Sequence, residues 1–147
     1  MPPRCTWSTP GSRLVCWRSR LRSSRGATRR RSRSSAICSR RFVVGELIRD
    51  ASLLDEVIGC GHWRTHDGQE VDLIVERGDG GVLAFEVKAA GQVRSGDARH
   101  LRKLRDALGE RFLAGISLYT GLRAYRVEDR LYALPIDRLW RADTMCE

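Results

Sequence analysis

Apolar and polar positions alternate through the middle of the chain. From 71 to 76, Val71, Leu73 and Val75 are interleaved with Asp72, Ile74 and Glu76. From 82 to 88, Leu83, Phe85 and Val87 are interleaved with Val82, Ala84, Glu86 and Lys88. A period of two predicts strands, and Gly78-Asp79-Gly80-Gly81 between them predicts the turn of a hairpin. Upstream the period changes: Val44, Leu47, Ile48, Ala51, Leu54 and Ile58 recur at spacings of three and four. This predicts an amphipathic helix over 42–59, ended by Gly59 and Gly61. A short strand over 62–66 follows, with Asp67-Gly68 turning it into the hairpin.

Beyond Lys88 a glycine-containing loop leads into GDARHLRKLRDALGE. There Ala98, Leu101, Leu104, Ala107 and Leu108 make one apolar stripe, and Gly109 marks the end of the helix. Arg99, Arg102, Lys103 and Arg105 fill the remaining faces, either as the wet side of a helix or as contacts to a phosphate backbone. RFLAGISLYTG predicts a buried strand, whose end places Tyr119 and Thr120 near the charged residues of the hairpin, with core packing their default role. LRAYRVEDRLYALPIDRLW predicts an edge hairpin around Glu128-Asp129 and a terminal turn opened by Pro135. The order is helix, three antiparallel strands, helix, strand and added hairpin: an α/β (α+β) domain over 42–147.

Charge divides the chain at the same place. The net charge of +9 suggests a nucleic-acid partner, but residues 1–41 hold 12 Arg and no acid. Residues 42–147 therefore carry 15 basic against 18 acidic residues, a net of −3. The basicity belongs to the tail, which has no sustained period and few apolar residues and is expected to be disordered on its own.

The tail has three readings: a basic arm for nucleic acid, an organellar transit peptide without an evident apolar face, or coding DNA read out of frame. Arg, Ser, Cys, Trp and Pro together are what GC-rich DNA yields in the wrong frame. Shifted back by one nucleotide, CTWSTPGSRLVCWR permits codons for YLVDPGLAARLLA, and SAICSRRF permits GHLLETF, which runs into Val43-Val44-Gly45. A frame change near Arg41 to Phe42 is the expectation, and the genomic nucleotide sequence decides it.

Five cysteines, Cys5, Cys16, Cys38, Cys60 and Cys146, match neither a zinc site nor a disulfide framework, so a reducing cytoplasm is expected. Cys60, His62 and His66 are close in sequence but lack a second ligand pair. No apolar run is long enough to span a membrane, and neither a secretory signal, an internal repeat nor a P-loop is present in the sequence.

The candidate chemistry lies in the hairpin. Glu86 and Lys88 share a strand face, and the neighbouring strand brings Asp72 beside them. Two carboxylates can hold a hard divalent cation that activates water, while an ammonium group offsets developing charge. The alternative is a solvated strand face carrying a surface ion pair. Glu46, within the apolar first turns of the first helix, is either a solvated flank residue or a carboxylate directed at the sheet.

Asp72 followed after a turn by Glu86-Val87-Lys88 resembles the PD-(D/E)XK nuclease superfamily, whose core is α-β-β-β-α-β. Residues 42–140 also resemble the carboxy-terminal domain of unknown function that follows an AAA-type ATPase module in many prokaryotic proteins. FVVGEL, HWRTHDGQEVDLIVE, LAFEVKA and LYTG carry this resemblance, and the shifted reading of the tail looks like the segment that precedes FVVGEL there. The resemblance implies a truncated nuclease-like domain. Asp72, Glu86 and Glu46 would serve Mg²⁺ or Mn²⁺, Lys88 would stabilise the transition state, and DNA or an AAA-type ATPase would be the partner. No ATPase motif lies in this chain. A non-catalytic interaction domain and a fragment without function are the alternatives.

Overall fold

The computed structural model describes residues 12–16 and 34–140, with side chains from residue 40 onward. The domain is mixed α/β. Its elements are β1 (Ser12–Cys16), α1 (Ser34–Ala51), β2 (Val57–Thr65), β3 (Glu70–Arg77), β4 (Val82–Lys88), α2 (Arg99–Leu108), β5 (Phe112–Tyr119), β6 (Tyr125–Glu128) and β7 (Leu131–Pro135). Short 3-10 turns precede and follow α2, and a third, Ile136–Trp140, follows β7. Between α1 and β5 the order is the expected α-β-β-β-α-β.

The sheet runs β1-β2-β3-β4-β5-β7-β6. The pairs β1·β2, β2·β3, β3·β4 and β6·β7 are antiparallel, while β4·β5 and β5·β7 are parallel. The late hairpin thus joins the sheet through β7, which leaves β6 at one edge and β1 at the other among the described residues. Among the described residues no helix is long and apolar enough to cross a membrane, which says nothing of a β-barrel.

The two helices cover opposite faces. Leu101, Leu104 and Leu108 of α2 pack with Trp63, Ile74, Val82, Ala84, Phe112 and Leu131. Val44 and Leu47 of α1 pack with Leu73, Val75, Phe85, Val87 and Leu118. Since Ala84 and Phe85 point oppositely from one strand, each helix owns one face. Gly115 leaves room for the core on the α2 side: a Cβ there would lie 2.8 Å from Leu131, 2.9 Å from Phe112 and 3.3 Å from Leu101 of α2.

Four expectations change. The first helix is Ser34–Ala51 rather than 42–59. Its apparent continuation fails because the helix unwinds through Leu53 N–H to Asp50 O and Leu54 N–H to Ala51 O, three-residue turns that leave Leu53 and Leu54 78% and 60% exposed. The spacing of Leu54 and Ile58 imitates a helix, yet Ile58 lies on β2. That strand runs over Val57–Thr65 rather than 62–66. Gly59 and Gly61, expected to end a helix, adjoin the two register shifts of the β2·β3 ladder, where glycine accommodates a bulge.

Finally, Val71 does not share a face with Leu73 and Val75. From Gly61↔Ile74 to Trp63↔Val71, β2 advances two residues while β3 spans three. The extra residue turns Val71 to the α2 side. As for the tail, residues 12–16 pair with β2 and 34–41 begin α1. The rest of 1–41, on which the disordered or out-of-frame expectation falls, lies outside the described residues, as do 141–147.

Candidate functional site

The β3·β4 ladder runs from Glu76↔Val82 to Leu73↔Phe85 and goes no further. β4 continues alone beside β5 as far as Lys88↔Tyr119. Asp72 stands where the strands part, inside the stretch of β3 that bulges against β2. Such bulges re-aim side chains, and Asp72 Oδ2 accepts from the Val87 N–H at 2.8 Å. A side chain thereby replaces the missing ladder bond and fixes the carboxylate against β4. The Asp72 side chain is only 7% exposed, and its Oδ1 faces Arg40 Nη1 of α1 at 3.4 Å.

Glu86 and Lys88 follow Val82 and Ala84 along the α2 face of β4. Lys88 Nζ lies 2.7 Å from Glu86 Oε1, so the pair projects as the alternation predicts. Glu86 is 6% exposed and its Oε2 has no hydrogen-bond partner. Burial raises its pKa above the ordinary 4.5; the hydrogen bond and charge of Lys88 and the charge of His100 oppose that rise, and Asp72 adds to it. The carboxylates of Asp72 and Glu86 are therefore close enough to repel one another.

Two neighbours of Glu86 escaped the sequence reading. His100, in the first turn of α2, directs Nδ1 at Glu86 Oε1 from 3.8 Å. Arg99 Nε lies 3.1 Å from His100 Nε2, on the side of the ring away from Glu86. Ser117 is the partner of Glu86 in the β4·β5 register. His100 Nδ1, Ser117 Oγ and Glu86 Oε2 are all buried without partners. Buried polar atoms are ordinarily hydrogen-bonded, so these three set the surroundings of Glu86 apart. The one available signal was a serine inside an apolar strand.

Glu46 is placed differently. It belongs to α1, the helix on the face opposite α2, and its Oε2 accepts from Arg49 Nη2 at 2.6 Å. Among the described residues no three His, Cys, Asp or Glu side chains come together in a way that could hold a metal ion. Glu46 is thus not gathered with Asp72 and Glu86. Nor do Cys60, His62 and His66 form a set: His62 Nδ1 lies 3.4 Å from the Asp72 carbonyl oxygen, and burial pushes the Cys60 thiol up, away from the thiolate a metal needs.

Carboxylate oxygens are the donor type a hard cation such as Mg²⁺ takes, with water completing its shell, and Asp72 and Glu86 are the residues of that type here. Glu86 Oε2 is an open acceptor. Asp72 has one oxygen committed to backbone and the other facing Arg40.

Fold and cluster together define a mixed α/β domain with two acids and a lysine at the parting of two strands. Residues 41–139 match the family described as a domain of unknown function, DUF4143, over well more than half of the chain. The chain belongs to that family. The match begins where the basic, acid-free composition ends. No curated protein and no solved structure matches the chain.

Proposed function

We propose that residues 42–140 form a PD-(D/E)XK-type domain that hydrolyses phosphodiester bonds of DNA, with Asp72 and Glu86 holding Mg²⁺ or Mn²⁺. The observation that carries this reading is the meeting of Asp72, Glu86 and Lys88 where the β3·β4 ladder stops. The α-β-β-β-α-β order supports it. When bound, the cation supplies Lewis acidity and a water of lowered pKa. The chain's own residues do the rest. The Val87 N–H holds Asp72 in one orientation, burial keeps the Glu86 oxygens out of competing hydrogen bonds with bulk water, and Lys88 presents an ammonium group to a phosphoryl oxygen as negative charge grows there. His100 of α2 and Ser117 of β5 flank Glu86.

The test is nicking of supercoiled plasmid by the purified chain with Mg²⁺ or Mn²⁺. Nicking that EDTA stops, and that Asp72→Ala or Lys88→Ala abolishes while the domain stays folded, is the expected result. An unsubstituted chain that never nicks DNA under either cation overturns it.

A second reading is a non-catalytic interaction module attached to an AAA-type ATPase. The placing of Glu46 with Arg49 and of Arg40 on Asp72 favours it, because both tie up acids that catalysis would employ. The resemblance carried by FVVGEL and LAFEVKA supports an ATPase of that type as partner in either case, in a reducing cytoplasm. Calorimetry separates the two, since the interaction module takes up neither cation.

A further inference from the structure

Asp72 has two carboxylate oxygens, and neither is open. Oδ2 accepts from the Val87 N–H, a bond that orients the carboxylate and survives any exchange of partners at the other oxygen. Oδ1 faces Arg40 Nη1 at 3.4 Å, and the same nitrogen lies 3.7 Å from Glu70 Oε1. The two partners differ in solvation: the Asp72 side chain is buried, whereas that of Arg40 is 45% exposed. A long, half-exposed cation can leave at little cost, but while present it neutralises the carboxylate and fills its free side. Residue 40 also lies just outside the matched span, 41–139. The acid therefore belongs to the family domain and the arginine to the segment preceding it.

We infer that Arg40 is a built-in counter-ion that shuts the cation position on Asp72, so that a divalent ion binds only after displacing its guanidinium. Glu70, on the same strand and already within reach, is the acceptor to which the displaced guanidinium turns. Displacement moves a positive charge a few ångströms and leaves the Asp72–Val87 bond intact, so the site opens without refolding. The inference rests on the two-carboxylate reading of Asp72 and Glu86 given above.

Isothermal calorimetry with Mn²⁺ on the full chain tests it, with Arg40→Gln and Arg40→Lys as variants. Removing a unit charge this close to a ligand oxygen should tighten Mn²⁺ binding by about tenfold or more in Arg40→Gln. Arg40→Lys, which keeps the charge, should stay near the unsubstituted chain, and Asp72→Asn added to Arg40→Gln should abolish the gain. A thermal-stability double-mutant cycle on Arg40→Gln and Asp72→Asn supplies a readout without metal, and coupling between the two sites is expected. Equal Mn²⁺ affinity with and without Arg40 overturns the inference alone. Additive stability effects overturn the contact on which it stands. Uptake of Mn²⁺ by none of the proteins, with coupling preserved, overturns the cation site and the inference with it.

Discussion

The carboxylates of Glu128 and Glu86 are each paired with a cation, and the chemistry of the two clusters is opposite. At the β6–β7 hairpin Glu128 takes Arg102 through both oxygens, accepts from Ser95 Oγ at 2.9 Å and has Arg105 within 3.7 Å. Every acceptor is engaged, and the Arg102 hydrogen bond holds its pKa down at about 2. At the end of β4, Glu86 has a single cation in contact, an orphaned oxygen and a pKa pushed up by burial. The first cluster is what a carboxylate looks like when its task is to fasten: it ties the start of α2 to the hairpin. The second is a charge that the fold tolerates rather than exploits, and groups held in that condition are candidates for function.

Lys88→Ala should produce the largest change in stability. It leaves Glu86 buried without its ion-pair partner, which costs about 3–5 kcal/mol for a fully buried pair. Because a quarter of the Lys88 side chain is exposed, about 1–3 kcal/mol is the expectation, measured by urea denaturation. A loss no greater than that of Arg102→Ala would erase the contrast between the clusters.

The two carboxylates should also respond oppositely to pH. Glu128 has a lowered pKa, so its contribution is present above the ordinary 4.5 and is lost as pH falls through about 2. Arg102→Ala should remove that acid-side loss and lower Tm at neutral pH, by less at high salt than at low. Glu86 has a raised pKa, so its contribution is complete below 4.5 and is lost as pH rises through the raised value. Glu86→Gln mimics the protonated acid and should raise Tm at neutral pH, with the gain vanishing below 4.5. A lowered Tm at neutral pH would show that the Lys88 and His100 contacts outweigh desolvation.

Much of this was readable from local pattern. Alternation put Glu86 and Lys88 on one face of β4, and three-four spacing gave α2 with Gly109 at its end, where φ is 58°. Gly80, with φ of 83°, makes the turn between β3 and β4. What stayed hidden depends on partners distant in sequence. The start of β2 is set by its ladder to β3, which overrides the helical spacing of Leu54 and Ile58. Pairing of neighbouring strands was enough to expect Asp72 beside Glu86, whereas the bulge that turns Val71 to the α2 side is revealed only by the β2 register. His100 joins Glu86 through the packing of α2, and Ser117 through the parallel β4·β5 register; both depend on partners distant in sequence. α1 begins at Ser34, inside a segment whose composition gives no helical period.

Glu46 is where pattern and structure diverge most, and it carries the smallest expected effect. Its place in the first turns of the predicted helix made it a fourth site residue, but α1 covers the face opposite Glu86. The carboxylate there spends its charge on Arg49, three residues along. Such a pair on a helix surface contributes about 0.2–0.5 kcal/mol, so Glu46→Ala should shift stability within that range. It should leave Mn²⁺ affinity unchanged in the Arg40→Gln background, where the site is open and a third ligand would be most visible. A tenfold loss of affinity there would place Glu46 on the cation after all. It would mean that α1 swings its carboxylate toward Asp72 once the guanidinium has gone, making the first helix, rather than the α2 side, the element that completes the site.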